Sequence, residues 1–182
     1  LDSAIITIIH QDNVRTVTLG KNKNDYVRGC ICEENPNSNY NSSTLWDVGW
    51  YVRDDGKGFF SQLLLRFDKI ADKLVGAVVL PDGNNTCVKS AELRMEVWEG
   101  SSLGAGSCDI TVSAIYHEWE NEVEYATWNT RPKSSYTDTI CTVPSYLQNP
   151  DTGNARPLLR FDVKNAVKGW VNGRRINKGF WL

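Results

Sequence analysis

Apolar and polar residues alternate in short runs along most of the chain, and Gly, Asn, Asp or Pro bounds each run. Period-2 text of this kind is what a strand with one buried face requires, because successive side chains point to opposite sides of a sheet. The runs predict strands at Ile5–His10, Arg15–Leu19, Tyr26–Cys32, Leu45–Tyr51, Phe59–Asp68, Val88–Glu99, Asp109–His117, Leu158–Val163 and Phe180–Leu182. Alternation is cleanest in Ala91–Trp98, where Leu93, Met95 and Val97 fall on one face and Arg94, Glu96 and Trp98 on the other. One stretch has helical spacing instead: Val163, Val167, then Trp170 and Val171, with Asp162 placed as N-cap and Asn172–Gly173 as the stop. Short strands, turn-rich connections and a single short helix predict an all-β fold, an antiparallel β-sandwich.

Composition narrows the function classes. The chain has 182 residues, room for one domain, with seven Trp, seven Tyr and one Met, a bias toward strands and a stiff core. A net charge of −2 gives phosphate-backbone binding little to work with, so nucleic acid is not an expected partner. The Arg174–Arg175 pair alone is too small for a basic patch. No apolar run approaches the length of a membrane-spanning helix. The sequence opens on Leu1 without a basic leader, as a processed, exported product would, which predicts an extracellular or cell-surface location.

In that compartment the five cysteines, Cys30, Cys32, Cys87, Cys108 and Cys141, predict two disulfides and one leftover thiol, with fifteen connectivities open. Cys30 and Cys32 stand two apart on an extended segment, share a face, and are poorly placed to bond each other. Asn41 and Asn84 head Asn-x-Ser/Thr acceptors for N-glycosylation in polar loop text.

Catalysis is not expected. Gly100-Ser101-Ser102-Leu103-Gly104 fits a nucleophile-elbow pattern, but the text after it reads as a strand where the elbow needs a helix. Glu118, Glu120, Glu122 and Glu124 cluster around Trp119 and read as a solvated face, not as a tuned acid–base pair. No cofactor is required. Three oxygen-rich loops are candidates for one structural calcium ion: Asp54 with Asp55, Asp82 with Asn84, and Asp151 with Asn154. Asp, Asn and Gly also dominate ordinary turns, so the same text has a plainer reading.

Ordered motifs from about Val14 to Leu182 carry a family resemblance. They are Asn24-Asp25-Tyr26-Val27-Arg28, Asn37 to Leu45, Leu64-Leu65-Arg66-Phe67-Asp68 and Ser90 to Val97. Ala126-Thr127-Trp128-Asn129-Thr130-Arg131-Pro132, Leu159 to Val163, Val167 to Gly173 and Gly179-Phe180 follow. In order and spacing they resemble the DNRLRE, or disaggregatase-related, repeats of secreted and surface proteins, some of which are treated as carbohydrate-binding modules. The resemblance implies a jelly roll. Five cysteines and an extra N-terminal segment depart from the pattern. Within the motifs, Arg66 is placed to pair with a carboxylate across the sheet, Trp128 to plug the core and Pro132 to stop the turn.

The division is therefore residues 1–13, an N-terminal extension, and 14–182, a single sandwich domain. Ala4, Ile5, Ile6, Thr7, Ile8 and Ile9 form a strand rich in β-branched residues and apolar on both faces, an aggregation hazard if left uncovered. Burying four Ile contributes on the order of 10 kcal/mol gross, at about 25 cal/mol/Å². The strand either folds back into its own sandwich or enters a neighbour's groove, and the second course predicts a homopolymer, a filament or matrix. The alternative function is carbohydrate binding or adhesion, with Trp46, Trp50, Tyr51 and Tyr116 as candidate glycan contacts on a polysaccharide.

Overall fold

The alternating segments close into two antiparallel sheets with a short helix at their side. The computed structural model describes residues 4–9, 14–19, 26–41, 48–68, 70, 88, 90–96, 109–143 and 158–182. Sheet A runs in the order β2-β1-β6-β9, built from β1 (Ala4–Ile9), β2 (Val14–Leu19), β6 (Glu92–Glu96) and β9 (Leu158–Asp162). Sheet B runs β3-β5-β10-β7-β8, from β3 (Val27–Cys32), β5 (Gly58–Arg66), β10 (Phe180–Trp181), β7 (Ile110–Ile115) and β8 (Thr137–Val143). Its sixth strand, β4 (Gly49–Val52), forms a hairpin with β5. The architecture is an all-β sandwich.

The main core lies between the sheets. Sheet A contributes Leu19, Leu93, Met95, Leu159 and Phe161, and sheet B contributes Leu63, Leu65, Val112, Ala114 and Phe180. Register explains the selection: Leu93 faces Phe161 and Met95 faces Leu159 across β6 and β9. The intervening Glu92, Arg94 and Arg160 fall on the outer face, where Glu92 pairs with both arginines. Helix α1 (Lys164–Val171) adds Ala166, Val167 and Trp170 to this core, the Trp170 ring 4.9 Å from Phe180. Its N-cap is Val163, not Asp162; Asp162 instead accepts from the Lys164 N–H at 2.9 Å, one residue early. Its C-terminus is a Schellman arrangement, with Gly173 N–H bonded to the Trp170 carbonyl and Arg174 N–H to that of Gly169.

A second core covers part of the outer face of sheet B. Ile31, Leu64 and Ile115 lie beneath Trp119, Val123 and Ala126 from the segment after β7, with Trp128 and Tyr136 packed against them. Two 3-10 turns, η1 (Val123–Tyr125) and η2 (Ser134–Tyr136), shape this segment. Asn39 clamps it by donating to the Val123 and Ala126 carbonyls, and Trp119 Nε1 donates to the Thr130 carbonyl at 3.0 Å. A Cβ on Gly29 would lie 2.4 Å from the Val123 carbonyl oxygen, so β3 admits η1 this closely only because that side chain is missing. Trp128 sits under the Arg131 guanidinium, 3.9 Å from its ring, and Pro132 is buried.

Arg66 does find carboxylates, but at the end of its own strand and in this segment, not across the strands. It pairs with Asp68, Glu122 and Glu124, while Lys178 bonds Glu122 at 2.9 Å. Glu122 and Glu124 are thus ion-pair partners that tether the segment, a correction to the solvated face read from their spacing.

Cys30, Cys32 and Cys141 form no disulfide with one another, and Cys87 and Cys108 lie outside the described residues. β3 and β8 stand at opposite ends of the path through sheet B, and bridged Cα atoms lie within about 7 Å, so Cys141 is out of reach of Cys30 and Cys32. Cys30 and Cys32 sit on one strand facing one way, as their spacing required.

Candidate functional site

Two features of this frame bear on function, the placement of β1 and the bare face of the β4–β5 hairpin. β1 pairs with β2 over its full length, from Ala4↔Leu19 to Ile9↔Val14, and on its other side with β6 through Ile5↔Glu92. It is therefore an interior strand of sheet A, although it is the first element of the described chain.

The hairpin projects Trp50, Val52 and Phe60 from the outer face of sheet B, 53%, 63% and 47% exposed. Trp50 and Phe60 are directly opposed in the ladder and meet edge to face at 4.7 Å. Behind them the indole lies on Gly58: a Cβ there would come within 1.8 Å of Trp50 Cζ2. Glycine at 58 thus lets the ring rest on the backbone, which fixes it with one face to solvent. Glu33 holds the base of the hairpin by accepting from the Phe60 N–H at 3.1 Å. Tyr51 points to the opposite face and stacks on Phe59 at 5.7 Å.

Of the candidate glycan contacts, Trp50 and Tyr51 share β4 but diverge across it. Tyr116 stands after β7, half-buried beneath the Arg175 guanidinium, 5.0 Å from its ring. Trp46 lies outside the described residues. The sequence reading missed Phe60 and Val52 as partners of Trp50; the signal was the period-2 match of 50 and 52 to 60 and 58 around one turn.

Asp54 and Asp55 belong to that turn. Arg53 N–H bonds the Lys57 carbonyl, Asp55 Oδ1 accepts from the Lys57 N–H at 3.1 Å, and Arg53 pairs with Glu34 and Asp55. These bonds are the ones that turn chemistry provides. No group of three or more His, Cys, Asp or Glu side chains among the described residues is arranged to hold a metal. The other calcium candidates, Asp82 with Asn84 and Asp151 with Asn154, lie outside the described residues. Asn41 is exposed and its Nδ2, the atom a glycan would take, donates to the Glu124 carbonyl at 3.3 Å. The second glycosylation acceptor, Asn84, and the Gly100–Gly104 segment are likewise outside the described residues. No helix among those residues is long and apolar enough to cross a membrane.

Burial raises the Cys141 thiol to about 11, and the nearby Asp162 charge acts in the same direction while a backbone hydrogen bond from Asp162 opposes it. The neutral thiol is the form the fold favours. No family model matches the chain, and no curated protein or solved structure matches it.

Proposed function

We propose that the chain is a non-catalytic extracellular structural module that self-assembles by placing its N-terminal strand in a neighbouring subunit, building a surface filament or matrix. The observation that supports this is the position of β1, interior to sheet A yet preceded by no other described element. Withdrawing it would leave β2 and β6 each with a bare edge, and only a strand of matching register and apolar pattern refills that slot. An identical strand from a neighbour restores the same hydrogen bonds, so exchange costs little in pairing energy. The four residues between β1 and β2 can extend to roughly 13 Å, enough for β1 to swing off β2 toward another subunit. Because the donor strand and the acceptor slot are different surfaces, the contact is heterologous and propagates. The same proposal reads the two sheets as a jelly roll of the DNRLRE type, supported by the motif order. It assigns one structural calcium ion to one of the three oxygen-rich loops, at Asp54 and Asp55, Asp82 and Asn84, or Asp151 and Asn154.

The test is a chain lacking residues 1–11, compared with the intact chain by electron microscopy and size-exclusion chromatography. The truncated chain should remain monomeric and should bind a synthetic peptide of residues 1–13 without polymerising. Filaments that persist after truncation would overturn the proposal.

A second reading, carbohydrate binding, is favoured by the fixed and exposed Trp50–Phe60 pair, since flat aromatic faces suit the apolar faces of sugar rings. Trp50→Ala should abolish retardation on polysaccharide affinity gels; unchanged retardation would remove that reading.

A further inference from the structure

Two surfaces join charge to an exposed cavity or face. In the cleft between α1 and the strands β7 and β8 the charge is already taken up, Arg175 bonding Asp138 at 2.7 Å. At the β4–β5 hairpin it is taken up only in part. Arg53 pairs with Glu34 and Asp55, and Asp55 also accepts from the Lys57 backbone N–H. Asp54 and Lys57 are exposed at the tip, and among the described residues neither side chain enters an ion pair. Beside them Trp50, Val52 and Phe60 form one apolar face, with the indole fixed on Gly58.

The charge pattern selects the partner. Residues 49–61 carry Arg53 and Lys57 against Asp54 and Asp55, so the hairpin has no net charge with which to draw a partner of one sign. Two copies of it do not repel each other. Register supplies the rest: Trp50 lies opposite Phe60 and Val52 opposite Gly58, with Asp54 on the β4 side of the turn and Lys57 on the β5 side. A two-fold axis along the hairpin, between two facing copies, sets each β4 residue against the β5 counterpart of the other copy. Each Trp50 then meets the second copy's Phe60, and each Asp54 meets the second copy's Lys57.

We propose that the hairpin face is a self-association surface that joins two copies of this chain about that axis. The contact is isologous, so every pairing in it is made twice. The cover over Ile31, Leu64 and Ile115 leaves the face free, because Leu64 lies toward the far end of β5 from Gly58. Size sets the strength. At about half exposure the two rings offer roughly 100 Å² each, and with Val52 the face offers roughly 300 Å² per copy. A stable interface takes about 800 Å² per partner, so this pairing is weak and reversible, and it strengthens wherever copies are held close together. It uses no residue of β1 and does not depend on strand exchange.

Zero-length carbodiimide cross-linking of carboxylates to amines tests this on an equal mixture of heavy-nitrogen-labelled and unlabelled intact chains. The mixture is held at about 100 μM, a concentration suited to a weak contact, with EDTA present to keep divalent cations off the carboxylates. Mass spectrometry should find hairpin peptides linked heavy to light through Asp54 and Lys57, whether or not the chains polymerise. Trp50→Ala should lower the heavy–light yield by about tenfold without altering the circular dichroism spectrum. Asp54→Lys and Lys57→Asp, each alone, should weaken the link, and mixing one variant labelled with the other unlabelled should restore it. Hairpin links confined to a single isotope overturn the proposal. So does a heavy–light yield that Trp50→Ala leaves unchanged, or a mixture of the two charge variants that links no better than either alone. A face that serves a sugar or an unlike protein forms no heavy–light link, and that result overturns it as well.

Discussion

On the outer face of sheet B, Ile31, Leu64 and Ile115 lie sealed beneath Trp119, Val123 and Ala126, whereas Trp50, Val52 and Phe60 stand bare on the same face. Hydrophobicity does not separate the two groups, since the bare patch is at least as aromatic. What separates them is reach. The covering segment is fastened by Asn39, by Trp119 Nε1 and by the Arg66–Glu122–Lys178 ion pairs, and all of these anchor it away from the hairpin tip. A polar clamp decides where the apolar cover goes. An aromatic pair kept outside that cover, where polar residues would be tolerated without loss, has the character of a contact surface.

The contrast can be broken from the covered side first. Trp119→Ala removes the largest covering side chain and one hydrogen bond, and should cost about 3–5 kcal/mol in urea unfolding. Trp50→Ala, on the bare side, should cost under about 1 kcal/mol, because its ring is already half in water. Near-equal losses at the two positions would show that the hairpin face is a structural part of the sandwich. The smallest effect concerns Cys141. Its folded pKa is raised, so the stability linked to the neutral thiol is present below about 9 and is lost as pH rises through about 11. Alkylation of Cys141 by iodoacetamide in the native chain should accordingly be slow at pH 8 and quicken toward pH 11. Fast modification at pH 8 would contradict the burial described for it.

Much of the sandwich was legible because its strands alternate. Leu93 and Met95 went inward and Arg94 outward, as their spacing dictates. The strand that escaped notice, β8, reads Thr-Asp-Thr-Ile-Cys-Thr-Val, polar enough to pass for a loop; it lies at the end of sheet B, where such a sequence is tolerated. Where the covering segment docks could not be read, although Trp128 and Pro132 marked it, because the Asn39 bonds to Val123 and Ala126 span 84 and 87 residues. The cleft beside α1 was hidden for the same reason: Asp138 and Arg175 are 37 residues apart and meet only once α1 has packed. Arg174 and Arg175 were visible as a pair, but their convergence with Lys168 is a property of the helix end. The candidate site was legible in part: Trp50 stands exposed, while Tyr51 and Tyr116 are turned to other work.

β10 has a consequence for how the protein is made. Its two residues, Phe180 and Trp181, are the only described strand joining the β3–β5 half of sheet B to the β7–β8 half. During synthesis, a chain still held in the ribosome short of residue 180 can assemble both halves but cannot zip them together. Closure of sheet B thus waits for Phe180 and Trp181, and until it occurs β5 and β7 each expose an open edge to chaperones or to other nascent chains.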